Sequence, residues 1–169
     1  DLVMQLKIKK KSATGVVSNL ENTDDVSLLN NSLFSLFSSV DVTINDVLVE
    51  TSNGHFPYLS FIKNLLTTTQ SQKTNYLEQL AGWEPDKPAL SMDSPTGNTG
   101  RTKRKNRSVG SKLVVFNSTL PLDITSCSKL FVPGLKFSIR LTHNADTARL
   151  HSERQTHLKY HVEVNIRKY

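Results

Sequence analysis

A period of two in the apolar positions dominates the chain. Met4, Leu6 and Ile8 alternate with Gln5, Lys7 and Lys9, which predicts a half-buried strand. Val40, Val42 and Ile44 alternate with Asp41, Thr43 and Asn45, and Val47 and Val49 follow. Asn45-Asp46 between them suits a tight turn, because both residues tolerate positive φ, so a hairpin is predicted. Strands resume over 112–117, and Leu120, Leu122 and Ile124 continue the beat. The two clearest strands come last. In one, Leu135, Phe137, Ile139 and Leu141 alternate with polar residues after a Pro133-Gly134 turn. In the other, Leu158, Tyr160, Val162, Val164 and Ile166 do the same.

A helical period is confined to the middle. Pro57 suits a first helical turn, and Tyr58, Phe61, Ile62, Leu65 and Leu66 fall at i, i+3, i+4, i+7 and i+8. That spacing predicts an amphipathic helix burying those five side chains. Tyr76, Leu77 and Leu80 predict a second helical piece closed by Gly82. Leu29, Leu33, Phe34, Leu36, Phe37 and Val40 fit either a helical face or a lead into a strand. Residues 12–25 read as a polar loop, and 84–111 as an exposed basic loop without apolar rhythm. Seven or eight short strands that do not alternate with helices predict an all-β fold. The expected architecture is one antiparallel jelly-roll sandwich over 1–169, with short helical insertions.

A length of 169 residues suits a single core without staples, and the lone Cys127 cannot form an internal disulfide. Three Asn-x-Ser/Thr triplets, at Asn30, Asn106 and Asn117, read as chance in a chain rich in these residues. No apolar run approaches the roughly 18 residues of a membrane helix, so no membrane partner is expected. The chain starts at Asp1 and not at Met, which fits a cut end.

Charge changes the picture in one place. Of 21 basic residues, six (Arg101, Lys103, Arg104, Lys105, Arg107 and Lys112) lie between Asp93 and Asp123 with no acid among them. The rest of the chain then carries equal basic and acidic numbers. Such a segment reads as a solvated loop, a polyanion contact or a nuclear-import signal. No aromatic residue is interleaved, so a nucleic-acid contact would be weak, phosphate-directed and salt-sensitive.

Candidate chemistry is sparse. His157 and His161 are four apart, but on a strand that places them about 13 Å apart on a polar face, not at one metal. His143, Asp146 and His151 are close in sequence, with no identified third ligand. No G-x-S-x-G elbow, Walker lysine or dinucleotide glycine fingerprint occurs. Gly97-Asn98-Thr99-Gly100 resembles the G-x-x-G loop of a KH domain without its helices. Cys127 has no activating histidine beside it in sequence, and Asp24-Asp25 reads as a solvated or capping pair. Neither enzymatic activity nor a cofactor is expected.

The stretch "NNSLFSLFSSVDVTINDVLV" followed by "HFPYLSFIKNLL" resembles the major capsid proteins of Maverick/Polinton elements and adintovirus-like DNA viruses. The resemblance rests on Asn30, Asn31, Leu33, Ser35, Leu36, Phe37, Ser38, Val40, Asp41, Val42, Asn45, Leu48 and Val49, then Phe56, Pro57, Tyr58, Leu65 and Leu66. Further on, "NTGRTKRKNRSVGSKLVVFNSTLPLDI" and "LFVPGLKFSIRL" are similar to later family segments, in the same order. The family implies a structural protein of two side-by-side jelly rolls, three subunits to a capsomer, and capsomers tiling an icosahedral virion shell. This chain has room for the first jelly roll only. A capsid subunit acting by homo-oligomerisation is therefore expected, with an apolar flank where a second sandwich would sit. The alternative is a domesticated single jelly-roll module that binds a polyanion or protein through its loops.

Overall fold

The computed structural model describes residues 2–87, 97–152 and 160–167. The chain is built mostly of antiparallel strands, with a few short helices. Strand β1 (Leu2–Lys11) is the centre of the first sheet. On one side it pairs with β9 (Tyr160–Arg167). On the other it pairs with β6 (Val114–Ser118) over its first half and β2 (Val17–Asn19) at its end. Met4 lies opposite Phe116 and Ile166, Leu6 opposite Val114 and Val164, and Ile8 opposite Val162. The period-two pattern of three distant segments thus meets on one buried face.

A second pair joins β3 (Val26–Leu28) to β8 (Leu150–Ser152). The third sheet has the order β5-β4-β7, from β5 (Val47–Thr51), β4 (Phe37–Ile44) and β7 (Phe137–His143). Asn45 (φ 49°) and Asp46 (φ 64°) make the turn expected of them. Lys136 N–H donates to Asn45 Oδ1 at 2.9 Å, so the same turn fixes the entry of β7. One apolar cluster takes side chains from all three sheets: Met4, Leu6 and Ile8, then Val26, Leu28 and Leu150, then Phe37, Val40 and Val42.

The ambiguous run before β4 resolves into a four-residue helix, α1 (Ser32–Ser35), leading straight into the strand. Asn31 before it is left-handed (φ 60°) and 2% exposed. Its Nδ2 donates to Ser60 Oγ and its Oδ1 accepts from Asn64 Nδ2, both at 3.2 Å. These contacts orient α2 (Phe56–Thr67) and overturn the expected burial of its apolar face. The row that docks is Phe56, Ser60 and Asn64, while Tyr58, Ile62, Leu65 and Leu66 are exposed and Phe61 is half-buried. Apolar spacing finds the helix but picks the wrong side, because a buried amide network holds the polar row inward.

Beyond α2 the chain runs through α3 (Gln70–Gln72), a π-helical turn (Lys73–Leu77) and α4 (Glu78–Leu80). Gly82 (φ 72°) ends this unit as expected, and a Cβ there would stand 2.8 Å from Ser32 Cβ and 2.9 Å from Phe116. Asn31 N–H donates to Gly82 O at 3.1 Å, and Asn30 Oδ1 accepts from Glu84 N at 2.7 Å. Three expectations of the sequence need correction. The polar 12–25 loop contains β2; residues 120–126 form turns ending in a 3-10 helix (Ile124–Ser126) and not a strand; Leu135 precedes β7. Leu158 lies outside the described residues. Among those described, no helix is long and apolar enough to cross a membrane.

Candidate functional site

The basic segment is the largest departure from expectation. Residues Thr99–Ser108 form a helix, α5, and not an exposed loop. Asn98 caps it: its Oδ1 accepts from Arg101 N–H at 2.9 Å, and its Nδ2 donates to Asp86 Oδ1 at 2.8 Å. Gly100 lets the helix lie against the 84–86 segment, since a Cβ there would run into the Pro85 carbonyl oxygen. Gly97–Gly100 is therefore a cap and first turn, not a phosphate-clamping loop.

Arg101, Arg104 and Ser108 fall on one face, and that face is buried; the two arginines are 1% and 2% exposed. Arg101 meets Asp25 at 2.5 Å. Arg104 donates through Nε to Leu28 O at 2.8 Å, through Nη1 to Glu84 O, and through Nη2 to Asp86 Oδ1 at 2.6 Å. The guanidinium fork thus ties β3, the 84–86 segment and α5 together.

The outer cations are engaged as well. Lys105 reaches Asp25 at 3.1 Å, Arg107 pairs with Glu84 at 2.6 Å, and Lys103 bonds Glu78 at 3.0 Å. Of the six candidate polyanion contacts, only Lys112 has an exposed side chain with no acidic partner among the described residues. The structure thus corrects the reading of this run as a free basic surface. Arg101 and Arg104 are internal cross-links, and three more cations neutralise the protein's own acids. Hydrophobic periodicity cannot detect such a helix, since its inward face is charged. The legible signals were the Asn98 cap, the i, i+3 arginine spacing and the acids Glu84 and Asp86; Asp25, read as solvated or capping, is instead the partner of Arg101 and Lys105.

The acids record these contacts. Burial pushes the Asp25 carboxyl up, but Arg101 and Lys105 outweigh it and hold it below its ordinary value. Asp24 is also lowered, with burial outweighed by Glu21 N–H, Lys10 and Tyr160. Glu84 is raised, because it is 3% exposed and burial exceeds the pull of Arg107; its Oε2 has no hydrogen-bond partner among the described residues.

Of the other sequence candidates, His143, Asp146 and His161 come together around one groove, and His151 stands apart from them. His143 lies against Phe37 with the rings tilted by 36° and their centroids 5.6 Å apart; His151 lies opposite Ser27 in the β3–β8 pair; Asp146 Oδ2 faces His161 Nδ1 at 2.9 Å. Among the described residues no group of three or more His, Cys, Asp or Glu side chains could hold a metal, and His157 lies outside them. Cys127 is an exposed free thiol.

The family-motif residues sort by position. Asn31, Phe37, Val40, Val42 and Phe56 are buried in or against the core, and Asp41 accepts from Thr51 Oγ1 at 2.6 Å. Asn45 builds the hairpin turn, and Pro57 opens α2. Tyr58, Leu65 and Leu66 face solvent.

That exposed helix row is one of two apolar surfaces. On the third sheet, Val40, Val42 and Ile44 share a face with Leu141, Ile139 and Phe137, their register partners, and with Val47 opposite Ile44. The face is buried at Val40 and Val42 but open at Ile139, Phe137 and Val47. Leu130, Phe131 and Val132 extend it, 98%, 55% and 70% exposed respectively. An open groove of about 430 Å³ lies among Ile44, Phe131, Val132, Leu135 and Phe137. These exposed side chains form an apolar patch continuous with the core face of the sheet. No protein-family model, curated protein or solved structure matches the chain.

Proposed function

We propose that this β-rich chain is a jelly-roll domain of a capsid-type structural protein, related to the Maverick/Polinton major capsid proteins, and that it works by association without turnover. Its copies would make trimeric capsomers within a virion shell. The observation that carries this reading is the open end of the β5-β4-β7 sheet. There the core face of the sheet continues past its cover into Ile139, Phe137, Val47 and the 130–132 segment. The sequence motif supports it too, since its inward members build the hairpin, the α1–α2 junction and the core, as a rigid wall requires.

The alternative is a single-domain module that binds a polyanion or a protein through its loops; the internal pairing of the basic helix weighs against the polyanion version. A version that binds a protein through the same apolar sheet remains as an outcome of the test. Size-exclusion chromatography with light scattering over a range of concentrations separates the two. A concentration-dependent trimer or larger species supports assembly; a monomer throughout favours the module.

A further inference from the structure

Arg149 is the charged side chain whose environment leaves most unanswered. A 3-10 turn (Asp146–Ala148) delivers it, and Leu29 N–H donates to its carbonyl oxygen at 3.1 Å, which pins its backbone against β3. Its side chain is 9% exposed. A guanidinium carries five N–H donors and stays charged, so burial demands acceptors. Among the described residues Arg149 has one ion-pair partner, Asp146 Oδ1 at 2.7 Å, and its buried Nε has no acceptor. Asp146 cannot serve it fully. The same carboxylate stands 2.9 Å from His161 Nδ1 and takes Val162 N–H at 3.4 Å. Burial lowers the Arg149 pKa more than Asp146 restores it, and burial together with Arg149 lowers that of His143.

Beside this under-paired cation lies an open groove of about 460 Å³. His143, Arg149 and His161 line it, with residues 162–165 of β9 as its floor. Among the described residues β9 pairs only with β1, so this side of the strand is an unpaired edge. The one acid in the lining, Glu163, sits opposite Lys7 in the β1–β9 register. An arginine fork flanked by two imidazoles and the strand backbone matches an anion with several acceptor oxygens, which a tetrahedral oxyanion presents in more directions than a carboxylate.

We propose that the groove between His143, Arg149 and the edge of β9 binds a small oxyanion, of the phosphate or sulfate type, whose charge offsets the incompletely paired Arg149 guanidinium. This proposal does not depend on the assembly reading.

The test is an NMR titration with inorganic phosphate, and in parallel arms sulfate and acetate, following the imidazole C–H signals of His143 and His161. Saturable shifts of these two signals are expected with phosphate or sulfate, and weaker ones with acetate. Arg149→Met should weaken binding at least tenfold. Asp146→Asn removes the competing carboxylate and should tighten binding severalfold, an outcome that a purely structural ion pair does not give. Lys112→Ala, elsewhere on the surface, should change nothing. Absence of saturable shifts in the wild-type protein overturns the proposal. So does wild-type affinity in Arg149→Met, or an Asp146→Asn variant that binds more weakly. Should Arg149→Met fail to fold, the wild-type and Asp146→Asn titrations decide alone.

Discussion

Replacing Arg104 by Met tests directly whether the basic segment is a cross-link and not a ligand surface. The substitution keeps much of the side-chain volume but removes donors to Leu28 O, Glu84 O and Asp86 Oδ1. Breaking a buried ion pair by removing one partner costs about 3–5 kcal/mol, because the remaining charge stays buried. Asp86 is 18% exposed on its side chain, so water recovers part of that. Two carbonyl oxygens lose a charged donor, at about 1–3 kcal/mol each if they stay dry. Relaxation and water entry shrink the sum, and a net loss of about 4 kcal/mol is expected. For a domain of this size that is a fall in Tm of about 8–16 °C. Thermal and urea unfolding followed by circular dichroism measure it, with Lys103→Met as the control. Lys103 is 60% exposed on its side chain and should change stability by no more than about 0.5 kcal/mol. If Arg104→Met stays within about 1 kcal/mol of wild type, the reasoning fails. A Lys103→Met loss as large as that of Arg104→Met would refute it equally.

Gly82→Ala should cost about 2 kcal/mol or more, since it adds a strained positive φ to a Cβ that meets Ser32 and Phe116 below 3.0 Å; urea unfolding reads this. Asp24 and Asp25 have lowered pKa values in the fold, so their stabilisation is present above the unfolded carboxylate pKa and is lost as pH falls through the folded one. Stability should therefore drop on acidification below about pH 4, and Asp25→Asn should make that drop shallower in urea titrations across pH. Glu84 runs the other way. Its raised pKa gives a contribution that is full below the unfolded value and lost as pH rises through the folded one, so Glu84→Gln should remove a gain in stability that the wild type shows on acidification just above the acid drop.

Strands were legible wherever an apolar and a polar residue alternate against one covered face. Met4-Leu6-Ile8, Val40-Val42-Ile44 and the Asn45-Asp46 turn are read from local pattern alone, because burial on one side dictates the period. Sidedness failed where polar groups are buried. The Asn31–Ser60–Asn64 network turns α2 over, and the acids Asp25 and Asp86 draw α5 inward. Both depend on partners 18 to 76 positions away in the chain, which no local window contains. The same limit explains the candidate site. Six cations in a row look like a ligand surface until their acids are placed, while Arg149 and His161, with no motif around them, are brought together by the turn before β8 and the edge of β9.

Under the proposed function, copies of this chain meet at the open end of the β5-β4-β7 sheet. Sedimentation-velocity ultracentrifugation of the wild-type protein and of Phe137→Asp, which charges the centre of that face and leaves the buried Val40 and Val42 in place, tests it most directly. The account predicts a concentration-dependent trimer or larger particle for the wild type, and a folded monomer for the variant. A wild-type monomer at every concentration, or assembly undiminished by Phe137→Asp, would contradict it.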